Sequence, residues 1–258
     1  MPSIYAHLRF GEDVLSRIPG KNSRLAGRFR QLYDVGLQGP DPFFYYNPLF
    51  HTATGQLGKK LHRQSGIVFF GNVLDRYRAQ PTETGIAYLY GLLGHYCLDS
   101  ETHPFVHSTT DTGPIGHTEL ETEFDRFLMQ QDGHLPAGAQ RLDRRLKLTF
   151  GECVTAASLL EDVAPLTFRL SLGSMALLLR LAASRNRRTA RLLLGLGGES
   201  GRDMVMTVGP NPNCAHLNQT MLDCYNRALE RFPVLAAQLE QAMETGQPLG
   251  EDFAPIFG

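Results

Sequence analysis

GHYCLDSETHPFVHSTTDTGPIGHTELE, residues 94–121, places His95, Asp99, His103, His107, His117 and Glu121 in one short stretch. Histidine is the commonest protein metal ligand and carboxylates join it at hard or borderline ions, so this density argues for a metal site before any fold is known. Two pairs stand at i,i+4, His95 with Asp99 and His117 with Glu121. Residues so spaced lie one above the other on a helix face and can aim at one ion. Between the pairs comes Pro104, and a residue before proline is pushed out of the helical region. The spacing therefore predicts a first helix ending near residues 100–102, then a turn carrying His103 and His107. Two imidazoles and a carboxylate leave an open position on Zn²⁺ where a water is acidified, which is the hydrolase arrangement. A lone His/acid pair on a surface helix is usually a weak ion pair; two pairs flanking a His-bearing turn favour the metal.

Outward from this stretch the chain reads as helical nearly everywhere. Ser3 caps a helix through Ile18, with Tyr5, Leu8, Val14 and Leu15 spaced for burial, and Asn22 or Ser23 opens another through Tyr33. Residues 36–54, GLQGPDPFFYYNPLFHTAT, form a long loop rich in Pro, Gly and aromatic residues, and loops of that length in a compact domain are usually functional. A helix over 55–64 holds His62, and Thr82 or Thr84 caps a helix from Gly85 to Asp99. The His117 helix runs to about Gln131; further helices follow near 150–163, 166–183, 188–194 and 216–245. No alternating strand pattern and no internal repeat is present, so the expected fold is a single all-α bundle spanning residues 1–258.

Composition bounds the partners. At 258 residues the chain is long enough to bury most of its apolar surface, and a net charge of -1 gives no global pull toward nucleic acid, so no specific nucleic-acid partner is expected. Cys97, Cys153, Cys214 and Cys224 show no CxxC spacing and read as free thiols of a reducing compartment. The first residues lack the basic head and apolar run of a secretory signal. No stretch approaches the roughly 20 apolar residues of a membrane span. The expectation is a soluble, cytoplasmic protein.

Five segments in order, PSIYAHLRFGEDVL (2–15), GLQGPDPFFYYNP (36–48), GKKLH (58–62), GHYCLDSETHP (94–104) and HTELETEF (117–124), resemble the zinc-dependent phospholipase C family. That family groups with the secreted bacterial phospholipases C and, more distantly, with the zinc-dependent single-strand nucleases. The resemblance implies a helical bundle with a site for two or three Zn²⁺ ions. Asp41, His62, His95 and Asp99 would hold one zinc; His117, Glu121 and the turn histidine a second; His7, with Asp99 bridging and the N-terminus alongside, the third. His103 is the turn histidine by its His-Pro order, with His107 as substitute, and His51 stands second to His62. This chain has no Trp and begins Met1-Pro2, where the secreted enzymes begin with a zinc-binding tryptophan, a departure that bears on the third site. His134 and His216 fall outside every motif and are assigned to the surface.

The implied chemistry is phosphodiester hydrolysis by a zinc-activated water, with Asp41 as general base or as the carboxylate that orients that water. No Lys or Arg among the implied ligands competes for the phosphate, which fits clamping by metal alone. Phe43, Phe44, Tyr45, Tyr46 and Phe50 follow Asp41 and would rim the site for acyl chains, a choline head or bases, while alternate members pack the loop on the bundle. The leucine-rich segment 166–194, with Arg180, Arg185, Arg187, Arg188 and Arg191, is either a buried helix followed by a solvated basic one or a transient contact with an anionic membrane surface. The expected partner is a phospholipid or other small phosphodiester. A nuclease or nucleotidase with a similar site, and a non-catalytic metal-stabilised helical protein, are the alternatives.

Overall fold

The fold is organised around one 28-residue helix that is buried nearly all round over its first five turns. In the computed structural model, which describes residues 4–47, 52–134 and 140–258, the chain begins with α1 (Ile4–Leu15), α2 (Gly20–Arg28), α3 (Arg30–Gly36), α4 (Ala53–His62) and α5 (Gly66–Ala79). The central helix is α6 (Glu83–Thr110), followed by α7 (His117–Gln131), α8 (Phe150–Ser158), α9 (Pro165–Ala182), α10 (Arg187–Leu194), α11 (Glu199–Asp203) and α12 (Asn218–Thr245). Among the described residues there is no strand, only an isolated bridge between Ser65 and Ile256, so the all-α expectation holds.

A helix apolar on every face must sit inside the bundle. α6 does so, with α3 and α12 packed along it and α1, α2 and α8 closing the remaining sides. Thr82 caps it, its hydroxyl accepting the Gly85 N–H at 3.0 Å. The crossing with α3 depends on two glycines, because a Cβ at Gly36 would strike the Tyr88 carbonyl and one at Gly91 the Tyr33 carbonyl. Most buried apolar side chains belong to one cluster, with a small second one of Ala190, Leu194 and Val205. All four cysteines are buried free thiols.

The structure corrects several sequence expectations. α6 does not stop before Pro104 but continues to Thr110 with the proline inside. A mid-helix proline costs roughly 3 kcal/mol, and tertiary packing offsets it here: His95, Asp99 and His103 are all buried on one side, and Arg231 of α12 grips Ser100 Oγ (2.9 Å) and Glu101 (3.1 Å) on another. The predicted helix to Tyr33 is split at Phe29, whose angles (φ -101°, ψ 47°) leave the helical region so that α2 and α3 both pack on α6. Within the long loop, residues 41–45 form a 3-10 turn. Residues 66–79, to which the sequence reading assigns no element, form α5 with Phe69, Phe70, Val73, Leu74 and Tyr77 inward. Ser3, Phe50 and His51 lie outside the described residues.

α9 also departs from expectation, since by length and composition it could cross a membrane, yet only 22% of it is buried. Phe168, Leu172, Met175 and Leu179 face the bundle, whereas Leu166, Leu170 and Leu177 are exposed.

Gly91→Ala is expected to lower stability by about 3 kcal/mol or more, at the upper end of overpacking costs, because both opposing atoms belong to backbone. Urea denaturation checks it, and a loss under about 0.5 kcal/mol would show that the α3–α6 crossing is not tight.

Candidate metal centre

Four helices and one turn bring eight side chains together. α1 supplies His7, the 3-10 turn Asp41, α4 His62, α6 His95, Asp99 and His103, and α7 His117 and Glu121. Because α6 continues through Pro104, Asp99 and His103 also stand at i,i+4, and His95, Asp99 and His103 line one face of one helix. Their donor atoms form three groups, each within 4.8 Å: His7/His95/Asp99, Asp41/His62/His95 and His103/His117/Glu121. His95 belongs to two of them.

Asp99 joins the groups. One carboxylate oxygen lies 3.0 Å from His7 Nε2; the other lies 3.1 Å from His95 Nε2 and 3.7 Å from His103 Nδ1. Asp41 Oδ1 is 2.9 Å from His62 Nε2 and 4.0 Å from His95 Nε2. Glu121 Oε1 lies 3.6 Å from His103 Nε2 and 3.2 Å from His117 Nε2. The His7 and His95 rings stack at 4.6 Å. His107 stays at the rim, its side chain 44% exposed beside Asp111, so of the two turn histidines it is His103 that enters the cluster. His134 is exposed and His216 is likewise outside the three groups.

The histidines are held from behind in a way that suits a metal. Nδ1 of His62 donates to Gly58 O (2.9 Å), Nδ1 of His95 to Leu37 O (3.2 Å) and Nδ1 of His103 to Phe257 O (2.9 Å). A backbone carbonyl on one ring nitrogen fixes the tautomer and turns the other nitrogen inward as a lone-pair donor. The Nε2 atoms of His95 and His117 are fully buried and make no well-aligned hydrogen bond, facing a carboxylate oxygen of Asp99 at 3.1 Å and of Glu121 at 3.2 Å respectively. A buried polar atom without a well-aligned hydrogen bond is costly, and a cation held between each nitrogen and its facing carboxylate would satisfy both. Gly39 makes this possible at His95: its φ of +52° is one that L side chains rarely adopt, and the imidazole rests where a Cβ would be.

Charge in the cluster is strongly coupled. Burial would push Asp99 up, but His103, His95 and His7 outweigh it and hold its carboxyl well below the usual range. Glu121 is likewise held low against burial, by His117 and His103 among its neighbours. For His103, burial opposes charge while Asp99 and Glu121 favour it, and the balance raises it from 6.5 to about 9. Asp125 of α7 accepts the N–H groups of Tyr5 (3.0 Å) and Ala6 (2.8 Å), pinning the start of α1 beside His7. Burial nevertheless dominates those bonds and pushes its carboxyl up to about 7.

A family profile for zinc dependent phospholipase C matches residues 6–169. The chain belongs to the zinc-dependent phospholipase C family. No curated protein and no solved structure matches it. The match contains all eight clustered side chains, and members of a zinc-dependent family are expected to carry such His/Asp/Glu groups.

Two features of this phospholipase C-type centre escape the motif reading. The tail, outside the matched segment, enters it: Phe257 is buried and contacts the His62 and His95 rings, Gly258 N donates to His62 O (3.3 Å), and Gly258 leaves no room for a Cβ against His103. No local signal marks these residues. The second is the mouth, a cavity of about 530 Å³ lined by Lys59 and Arg63 as well as His62, His103, His107 and His117. Lys59 was legible in principle, one turn before His62 in the GKKLH segment. Of the aromatic run after Asp41, Phe43 and Tyr45 are buried in the bundle and Phe44 alone lines the mouth among the described residues.

In chelated protein, charged His103 contributes stability that is complete below pH 6.5 and is lost as pH rises through about 9, since its folded value is raised. Urea denaturation should show wild type losing on the order of 2 kcal/mol over that window relative to His103→Ala. Parallel curves would contradict the assigned pairing.

Proposed function

We propose that the protein hydrolyses the phosphodiester of phospholipids using two or three zinc ions bound by the clustered side chains. His/carboxylate donor sets suit zinc, and the buried Nε2 atoms of His95 and His117, which face carboxylates without a well-aligned hydrogen bond, fit it as well. Asp41, His62, His95 and Asp99 would hold one ion, His103, His117 and Glu121 a second, and His7 with Asp99 a third. The carrying observation is that the three donor groups are contiguous, joined through His95 and Asp99, so that one phosphate can be reached from all of them.

Zinc bound here supplies acidification of water at neutral pH and neutralisation of phosphoryl charge. The chain's own residues do the rest. The carbonyls of Gly58, Leu37 and Phe257 keep three imidazoles in the donor tautomer. Asp41, with one oxygen 2.9 Å from His62 Nε2 and 4.0 Å from His95 Nε2, would orient the attacking water or take its proton. Asp99 keeps the sites adjacent.

Lipid rather than nucleic acid is favoured by the surface of α9 and α10. Residues 163–198 contain six arginines and no acidic residue, and Leu166, Leu170, Leu177, Leu192, Leu193 and Leu196 are exposed among them. Apolar side chains interleaved with arginines, in a segment that has no acidic residue of its own, match an anionic bilayer surface, where leucines insert below the headgroups. Co-sedimentation with anionic but not neutral vesicles checks this surface; equal recovery with both would count against it.

Phosphorylated headgroup is expected to be released from phospholipid by the zinc-loaded protein, abolished by a chelator and restored by zinc. Asp99→Asn should lower the rate by more than about 100-fold, since even outer partners of metal ligands are worth 10–100-fold. Cleavage of single-stranded DNA but not lipid, or stoichiometric zinc with no hydrolysis of either, would contradict the reading.

A further inference from the structure

The mouth of the centre carries a charge pattern that the donor cluster does not need. Lys59 of α4 and Arg63, the residue capping that helix, stand at i,i+4 and therefore on one face, and both line the cavity beside His62. Both are exposed, and neither has an ion-pair partner among the described residues, whereas the adjacent Lys60 is paired with Glu161 (3.6 Å) and Asp162 (3.9 Å). Two like charges one turn apart repel each other, and an anion between them relieves the repulsion.

Among the described residues the same mouth offers few groups that would hold a quaternary ammonium. Such a cation is recognised by ring faces or free carboxylates. Among the described lining residues, Phe44 is the one phenyl or phenol ring, lying 5.0 Å from the His62 imidazole and tilted against it. The one lining carboxylate outside the donor cluster, Asp111, already faces His107 Nδ1 at 3.6 Å. Phe43 and Tyr45 are turned into the bundle.

We propose that Lys59 and Arg63 form a headgroup subsite that selects phosphodiesters whose headgroup carries no cation, glycerol- or inositol-type lipids, over choline lipids. The inference deepens the phosphodiesterase reading and rests on it. A choline ammonium would enter a cavity edged by two unpaired cations, while a glycerol or inositol headgroup meets donors and no repulsion; a further phosphate on that headgroup would be drawn between them. The selectivity is electrostatic at an exposed site, so it weakens with added salt.

The test compares kcat/KM for short-chain phosphatidylglycerol and phosphatidylcholine below their micelle concentrations, so that no lipid surface contributes. Wild type is expected to prefer phosphatidylglycerol by about tenfold or more, a discrimination of about 1.4 kcal/mol. Lys59→Glu/Arg63→Glu should erase or invert that ratio, mainly through KM, with unchanged zinc content and circular dichroism. Lys60→Glu should keep it. Calorimetric binding of glycerol phosphate against phosphocholine to the zinc-loaded protein reads the same preference without turnover. Hydrolysis of neither lipid, with the binding preference present and lost in the double variant, would sink the phosphodiesterase reading and support the subsite. Equal or better use of phosphatidylcholine by wild type would overturn the subsite and leave the hydrolase reading standing. So would absence of the binding preference, or a double variant with the wild-type ratio.

Discussion

The rest of this structure depends on a buried carboxylate shared by three histidines. Asp99 is 4% exposed, and its two oxygens face His7, His95 and His103 from two different helices. An isolated charge at that depth would cost several kcal/mol or be neutralised. The bundle instead surrounds it with groups able to be cationic or to hold a cation. α1 must approach α6 closely enough for His7 to reach, and α6 must stay helical past Pro104 so that His103 falls one turn beyond Asp99. The tail must then return to support His103.

That constraint explains features that look unrelated in the sequence. Gly39 is required because the His95 imidazole occupies its Cβ position, and Gly36 and Gly91 because α3 must lie against α6 for Leu37 to meet His95 Nδ1. Asp125 fixes the first turn of α1, and with it the height of His7. Phe257 closes the cluster from the far end of the chain, packing among Phe69, Phe70 and Tyr96 while its carbonyl orients His103. The matched family segment ends at residue 169, so this support is supplied by the part of the chain outside it.

The donor residues were legible because they come in local pairs and motif segments: His95/Asp99 and His117/Glu121 announce themselves at i,i+4, and the helical class follows from the absence of alternation. Pro104 misled, since local stereochemistry ends a helix there whereas burial of Asp99 and His103 on one face continues it. The tail could not be read, because its role depends on contacts across nearly 200 residues, and of the Lys59/Arg63 edge the sequence offered only the spacing of Lys59 from His62, not which face of α4 meets the cavity. The aromatic run after Asp41 illustrates the same limit. Composition suggested a rim of rings, and packing took most of them into the core.

The central claim, that Asp99 and its neighbours form linked metal sites rather than a buried ion-pair network, is tested most directly by elemental analysis of protein purified without chelators and then supplied with zinc. The account predicts two or three zinc ions per chain, with fewer in folded His117→Ala/Glu121→Ala protein and fewer again when Asp99→Asn is added. A folded wild-type protein that retains no stoichiometric zinc would contradict it.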